Sequence, residues 1–220
     1  MKPQFIRYIY LVFGIINIAG HILSNEDLLN YSKPLLMPLL LYYVYQSQMN
    51  QVTSRTLLLW AALLFAWFGD LALMLPEQYF LFGVAFFFAT QICYIILFQR
   101  STVDGITFNL RPILSYLVYA VFLFYVLLPH VGNLFFPVLI YGLSLIGMAA
   151  VARLRKGKTP DQSYVLVTLG AGLFLISDSL LALNKFVAPL SYGATAIMTT
   201  YIAAQYLITE GILKDQTTDK

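Results

Sequence analysis

Asp70, in LFAWFGDLALML, and Asp178, in GAGLFLISDSLLALNKF, are the two carboxylates set well inside long apolar runs. On insertion scales a central Asp costs about 2.5 to 3.5 kcal/mol, so such residues face a bundle interior or a water-filled cavity and mark functional positions. Two acids with no metal set beside them point to acid–base work on an uncharged bond. With His21 and His130 as the only histidines, there is no three-histidine zinc set and no H-E-x-x-H motif. Cys93 is the single cysteine and lies within an apolar run, which removes a disulfide framework and a cysteine metal site. Neither G-x-S-x-G nor G-x-x-x-x-G-K-[ST] occurs. No cofactor and no metal are expected.

The spacing around the acids is helical. Ala62, Ala66 and Asp70 fall on one stripe, and small residues let neighbouring helices approach, so Asp70 should face protein and not lipid. On the later segment Ala171, Phe174, Asp178 and Lys185 share a face, with Ser177 and Asn184 on an adjoining stripe. Both aspartates lie about five residues from the outer ends of their runs, at a common depth. Other polar groups within apolar runs recur at helical intervals: Asn17 and His21, Gln91 and Tyr94, Tyr201 and Gln205. Each pair also has a plain reading as interhelical hydrogen-bonding glue. Lys33 and Lys185 stand at the outer rim, where they either snorkel or hold a phosphate. Glu77, in the tight loop after the third run, reads as solvated.

The elements that position these residues follow from composition. The 220-residue chain is 60% hydrophobic and 10% charged, with a mean hydropathy of +0.77. These values lie outside the range of soluble domains. Non-alternating apolar runs satisfy their backbone in hydrocarbon only as helices. The expectation is an all-α, polytopic transmembrane bundle of about eight helices forming a single membrane domain, with spans near 5–23, 34–46, 56–75, 79–98, 112–128, 134–152, 164–183 and 190–209. The 34–46 run is short and contains Pro38, so it borrows polar flanks or re-enters the membrane. With both termini cytoplasmic, Lys2, Arg7, Arg55, Arg100, Arg111, Arg153, Arg155, Lys156, Lys158, Lys214 and Lys220 lie inside, and Lys33 and Lys185 outside. Omitting the second span and reversing the N-terminus leaves nearly the same bias, so charge alone does not choose between the two. A net charge of +3, gathered in loops, argues against a nucleic-acid groove. The first run is long for a signal peptide, no A-x-A-like site follows it, and it is read as retained.

The segments YSKPLLMPLL, WFGDLALML followed by FLFGVAFFFATQICYIILF, GAGLFLISDSLLALNKF and TTYIAAQYLI resemble, in order, the YhhN-like lysoplasmalogenases, a family of small membrane proteins with about eight helices. The resemblance covers most of the chain from Lys33 to Thr209. It implies hydrolysis of the vinyl-ether bond of lysoplasmalogens, a class of lysophospholipid, to a fatty aldehyde and glycerophosphoethanolamine or glycerophosphocholine. It also implies that Asp70 and Asp178 are the functional acids. Where the family pattern commonly has A-H-x-x-Y, this chain has Gln91 in TQICY, and a Gln hydrogen-bonds without shuttling a proton. Lys33 and Lys185 would hold the headgroup phosphate, with Asn184, Gln91, Tyr94, Tyr201, Gln205 and Ser177 lining the substrate. Substrate and membrane lipids are then the partners, and the cell membrane is the location, the inner one in a Gram-negative cell. The rival reading is a transporter or channel, because paired intramembrane acids also build proton relays and cation sites. No clear internal repeat supports it. A third reading is a lipid-binding protein with the acids as scaffold.

Overall fold

A computed structural model describes residues 3–49, 52–102, 105–106 and 109–217, with side chains of the last helix given to residue 215. Lys2 and Lys220, counted in the charge bias, lie outside the described residues. The described residues form eight α-helices: α1 Pro3–Leu23, α2 Glu26–Gln48, α3 Ser54–Ala72, α4 Phe80–Arg100, α5 Leu110–Leu127, α6 Phe135–Leu154, α7 Asp161–Ala182 and α8 Gly193–Thr217. A 3₁₀ turn, Glu77–Tyr79, carries Glu77 before α4, and a π-helical turn, Leu183–Val187, extends α7. By length and composition α1 and α3 to α7 are apolar enough to cross a membrane. Helices α2 and α8 have 23 and 25 residues, enough for the hydrocarbon thickness, but carry charges at Glu26, Asp27 and Lys33 or at Glu210, Lys214 and Asp215.

The second helix is longer than its apolar run because its start is set by a cap. Asn25 has extended backbone angles, and its side chain accepts the Leu28 N–H at 3.1 Å, satisfying one of the orphan donors at a helix start. Glu26 and Asp27 then occupy the first turn, where the helix dipole favours acids. Helix α2 continues through both Pro34 and Pro38. Each proline lacks an N–H, which frees the carbonyl four residues before it. For Pro38 that carbonyl belongs to Pro34, and the Trp67 indole N–H donates to it at 2.8 Å. The bond ties α2 to α3 and repairs the break. Trp67→Phe keeps an aromatic ring but removes the indole N–H and strands that carbonyl, so the protein should lose about 1 to 3 kcal/mol of stability, read as a lower melting temperature in matched detergent.

The chain divides into two compact units, Met1–Leu97 and Phe98–Lys220. In the first, α1 packs on α2 and α2 on α3, and Thr90 of α4 donates to the Ala62 carbonyl of α3 at 3.3 Å. In the second, α7 packs on α8, with α6 against both α5 and α7. The α7–α8 seam is a backbone-close contact made by two glycines. A Cβ on Gly170 would stand 2.9 Å from the Ala204 carbonyl and the Ile208 nitrogen, and one on Gly211 would stand 3.0 Å from the Val167 nitrogen. Backbone does not move aside as a side chain does, so only Gly fits there, as at close-packed membrane helix pairs. Large apolar side chains such as Val118, Val121, Phe122 and Tyr125 of α5 remain exposed, the mark of a surface facing lipid and not water.

Candidate active site

In the first unit Asp70 sits in the last turn of α3, buried to 2% exposure. Its carboxylate Oδ1 lies 4.0 Å from Nζ of Lys33 on α2. The sequence places Lys33 at a rim; the structure places it within a helix, its side chain largely covered, because the Asn25 cap starts α2 well before it. Pro34, next to Lys33, is the residue gripped by Trp67, three positions before Asp70. One α2–α3 clamp therefore fixes the backbone on both sides of the ion pair. Gly69 permits the approach of Phe87, whose ring would stand 2.8 Å from any Cβ there. On α1, Asn17 is fully buried and donates from Nδ2 to Ser32 Oγ at 2.9 Å. The Ser32 hydroxyl in turn donates to the Leu28 carbonyl. This is the glue reading of Asn17. Gln91 and Tyr94 are both fully buried on α4. Phe68, Leu71, Leu75, Phe82 and Phe86 line an open apolar groove of about 290 Å³ beside the Asp70 turn.

In the second unit Asp178 is buried on α7, and Tyr141 of α6 donates its phenol to Oδ2. The next residue, Ser179, accepts a hydrogen bond from Tyr119 of α5 at 2.8 Å and donates to the Leu175 carbonyl. The preceding residue, Ser177, donates to the Ile197 carbonyl of α8 at 2.9 Å. Three consecutive side chains are thus fastened to three different helices, which fixes the rotation of α7 about its axis at Asp178. Tyr201 meets Phe174 edge-on with ring centroids 5.8 Å apart, and Gln205 Nε2 donates to the Tyr201 hydroxyl at 3.4 Å. Asn184 is engaged in the turn after α7, where its Oδ1 accepts the Leu190 N–H at 2.8 Å and stands against Gly193.

Lys185 departs from the expected face. Residues 183–187 form a π turn, in which each residue advances less around the axis than in an α-helix. A seven-residue interval across it no longer returns to the Asp178 face, and Lys185 is exposed. Arg155, counted by sequence as a loop cation, is fully buried. Its Nε donates to Ser101 and one terminal nitrogen to Ser163, both at 2.9 Å, with Asp215 at 3.5 Å.

Tyr141, Tyr119 and Trp67 escape a sequence reading because aromatic residues in apolar runs are the commonest lining of a bundle. Tyr141 carries one faint signal, a polar tip in mid-run that must find a partner. Among the described residues no three His, Cys, Asp or Glu side chains gather as a metal-binding group. What each aspartate offers is a buried carboxyl with a charged or polar partner, a lysine ammonium 4.0 Å away in one unit and a donating phenol in the other. Such a group can give or take a proton, or stand opposite a developing cation.

The model of the YhhN family matches residues 29–212, which include Lys33, Asp70, Gln91, Tyr94, Ser177, Asp178 and Gln205. The chain belongs to the YhhN family. It is 33% identical to lysoplasmalogenase TMEM86B of Sus scrofa over 175 residues, 78% of this chain and 70% of that protein. It is 36% identical to lysoplasmalogenase TMEM86B of Rattus norvegicus over 162 residues, 73% and 64% of the two. A lysoplasmalogenase of Mycobacterium bovis is 29% identical over 159 residues, 68% and 58%. The chain therefore spans less than two thirds of the rat and mycobacterial relatives. No solved structure matches it. Asn17 and His21 precede the YhhN match, whereas both buried aspartates and their lysine and phenol partners lie within it.

Proposed function

We propose that this YhhN-family protein is a membrane-embedded hydrolase that cleaves the vinyl-ether bond of lysoplasmalogens, with Asp70 and Asp178 as its acids. The observation that carries the reading is that the family match runs through both aspartates, each buried in a membrane-type helix, one paired with a lysine and the other accepting from a phenol. The relatives' name supports the substrate class.

The chemistry needs no more than these groups. Proton transfer to the β-carbon of the vinyl ether forms an oxocarbenium ion. Water adds to its electrophilic carbon and loses a proton, giving a hemiacetal. The hemiacetal collapses to a fatty aldehyde and the free glycerol hydroxyl of glycerophosphoethanolamine or glycerophosphocholine. One Asp delivers the proton, and the other stabilises the cation and orients water, as the carboxylate pairs of glycosidases do. Lys33 and Lys185 are the candidates for the headgroup phosphate, and Gln91, Tyr94, Tyr201, Gln205 and Ser177 are the candidate substrate-binding groups. Asn184 contributes by holding the turn that carries Lys185. The apolar groove beside Asp70 is a bed for the alkenyl chain. The protein sits as a single membrane domain in the cell membrane with both termini cytoplasmic, by the bias of its basic residues.

Purified wild-type protein in detergent should release aldehyde from lysoplasmalogen, and proteoliposomes should show no ion flux coupled to it. Flux without turnover would overturn the hydrolase reading. Lys33→Ala should raise KM for the phosphate-bearing substrate by about tenfold, the scale of one lost charged hydrogen bond. Lys185→Ala should raise it less, since that side chain is exposed. Unchanged KM in both would remove the phosphate role.

A further inference from the structure

A polar cavity lies in the second unit, at the end of α6 away from Asp178. Asn109 and Arg111 at the start of α5, with Arg153, Lys156 and Lys158 at the end of α6 and just beyond it, line a space of about 480 Å³. Four cations border it, and among the described residues no carboxylate lines it. Two of the cations are held in place. Arg153 donates to the Tyr164 hydroxyl, with its guanidinium carbon 5.9 Å from the ring centroid, and Lys158 donates to the Gly105 carbonyl. Gly157, at φ +72°, takes the left-handed conformation between Lys156 and Lys158.

We propose that this pocket binds the phosphate of an anionic membrane-lipid headgroup. Like charges fixed around one cavity repel unless an anion joins them, and a guanidinium matches two phosphate oxygens at once. The Asn109 side chain already accepts the Arg111 N–H, so the attraction rests on the side-chain cations. The setting favours a lipid over a dissolved phosphate. Both α5 and α6 are helices of membrane-crossing length and apolarity, so their ends lie at headgroup depth. Exposed Leu110, Leu114, Leu117 and Val118 continue from the pocket along α5 and offer a bed for acyl chains. Basic pockets between membrane helices take anionic headgroups in this way. The site is separate from Asp178. Tyr164, which holds Arg153, precedes Asp178 on the same helix by about 21 Å of rise.

The test uses the full chain in phosphatidylcholine nanodiscs, with phosphatidic acid as the probe and retained lipid read by native mass spectrometry. Wild type should retain phosphatidic acid about tenfold over phosphatidylcholine. Arg111→Gln combined with Lys156→Gln should abolish the preference, Lys156→Arg should keep it, and Lys214→Gln, which removes a charge elsewhere, should leave it unchanged. Melting in pure phosphatidylcholine checks that each variant folds, and Lys156→Gln alone serves if the pair does not. No preference in wild type, or an equal loss in Lys214→Gln, overturns the proposal. Inorganic phosphate should not raise the melting temperature; a rise equal to that given by phosphatidic acid would reassign the pocket to a soluble phosphate.

Discussion

Asp178→Asn, purified with its fold intact, should release aldehyde from lysoplasmalogen about 10² to 10⁴ times more slowly than wild type, the range of a lost proton-transfer group. The substitution is nearly isosteric, and the Asn carbonyl oxygen still accepts the Tyr141 phenol, so melting should hardly change. Asp70→Asn should fall in the same range, with a larger loss of stability because Lys33 then lacks its anion. Tyr141→Phe separates chemistry from scaffold. It leaves the carboxyl in place but removes its donor, so kcat should fall by about tenfold, the cost of one hydrogen bond to a charged group, while KM holds. If Asp178→Asn keeps more than a tenth of wild-type turnover, the residue is a structural acid and the proposed division of labour fails.

Arg155→Ala should cost about 3 to 5 kcal/mol, the penalty of removing one member of a buried charge pair. Arg155 has no exposed surface, and its guanidinium links the end of α4, the start of α7 and α8 through Ser101, Ser163 and Asp215. Phe98 lies beneath it, the guanidinium carbon 5.7 Å from the ring centroid. Truncation leaves Asp215 charged and covered. Arg155→Lys should recover only part of the loss, because a lysine has one ammonium where the guanidinium serves separate partners. The measurement is thermal unfolding in detergent across Arg155→Ala, Asp215→Asn and the double variant. A coupled pair makes the double variant more stable than the sum of the singles predicts, and plain additivity would show that the two do not interact.

Much of this arrangement is legible in the chain. Apolar length and the absence of alternation specify helices, and the rarity of carboxylates in such runs singles out Asp70 and Asp178. The rest depends on partners remote in sequence. Arg155 in RLRKGK is indistinguishable from its neighbours until α8 delivers Asp215 to it. Pro38 makes the second run read as short, borrowing polar flanks or re-entering the membrane, because nothing local reveals that the Trp67 N–H satisfies the carbonyl freed by the missing N–H. Lys185 shares a face with Asp178 only if the helix stays regular. A π turn leaves no mark in residue type, so periodicity carried the wrong phase past Ala182.

That π turn also makes chain length a variable. A π turn holds one residue more than the α turn it replaces, so deleting one residue within Leu183–Val187 lets regular winding continue without breaking the helix. Asp178 keeps its Tyr141 partner and Ser179 its Tyr119 partner, both from helices before the turn. Whatever follows is rotated about the axis, Ile197 and its bond from Ser177 included. Relatives that differ by a single-residue gap here would thus present the same acid beneath a differently turned rim, a way, under the proposed function, for headgroup preference to shift without substituting the acid.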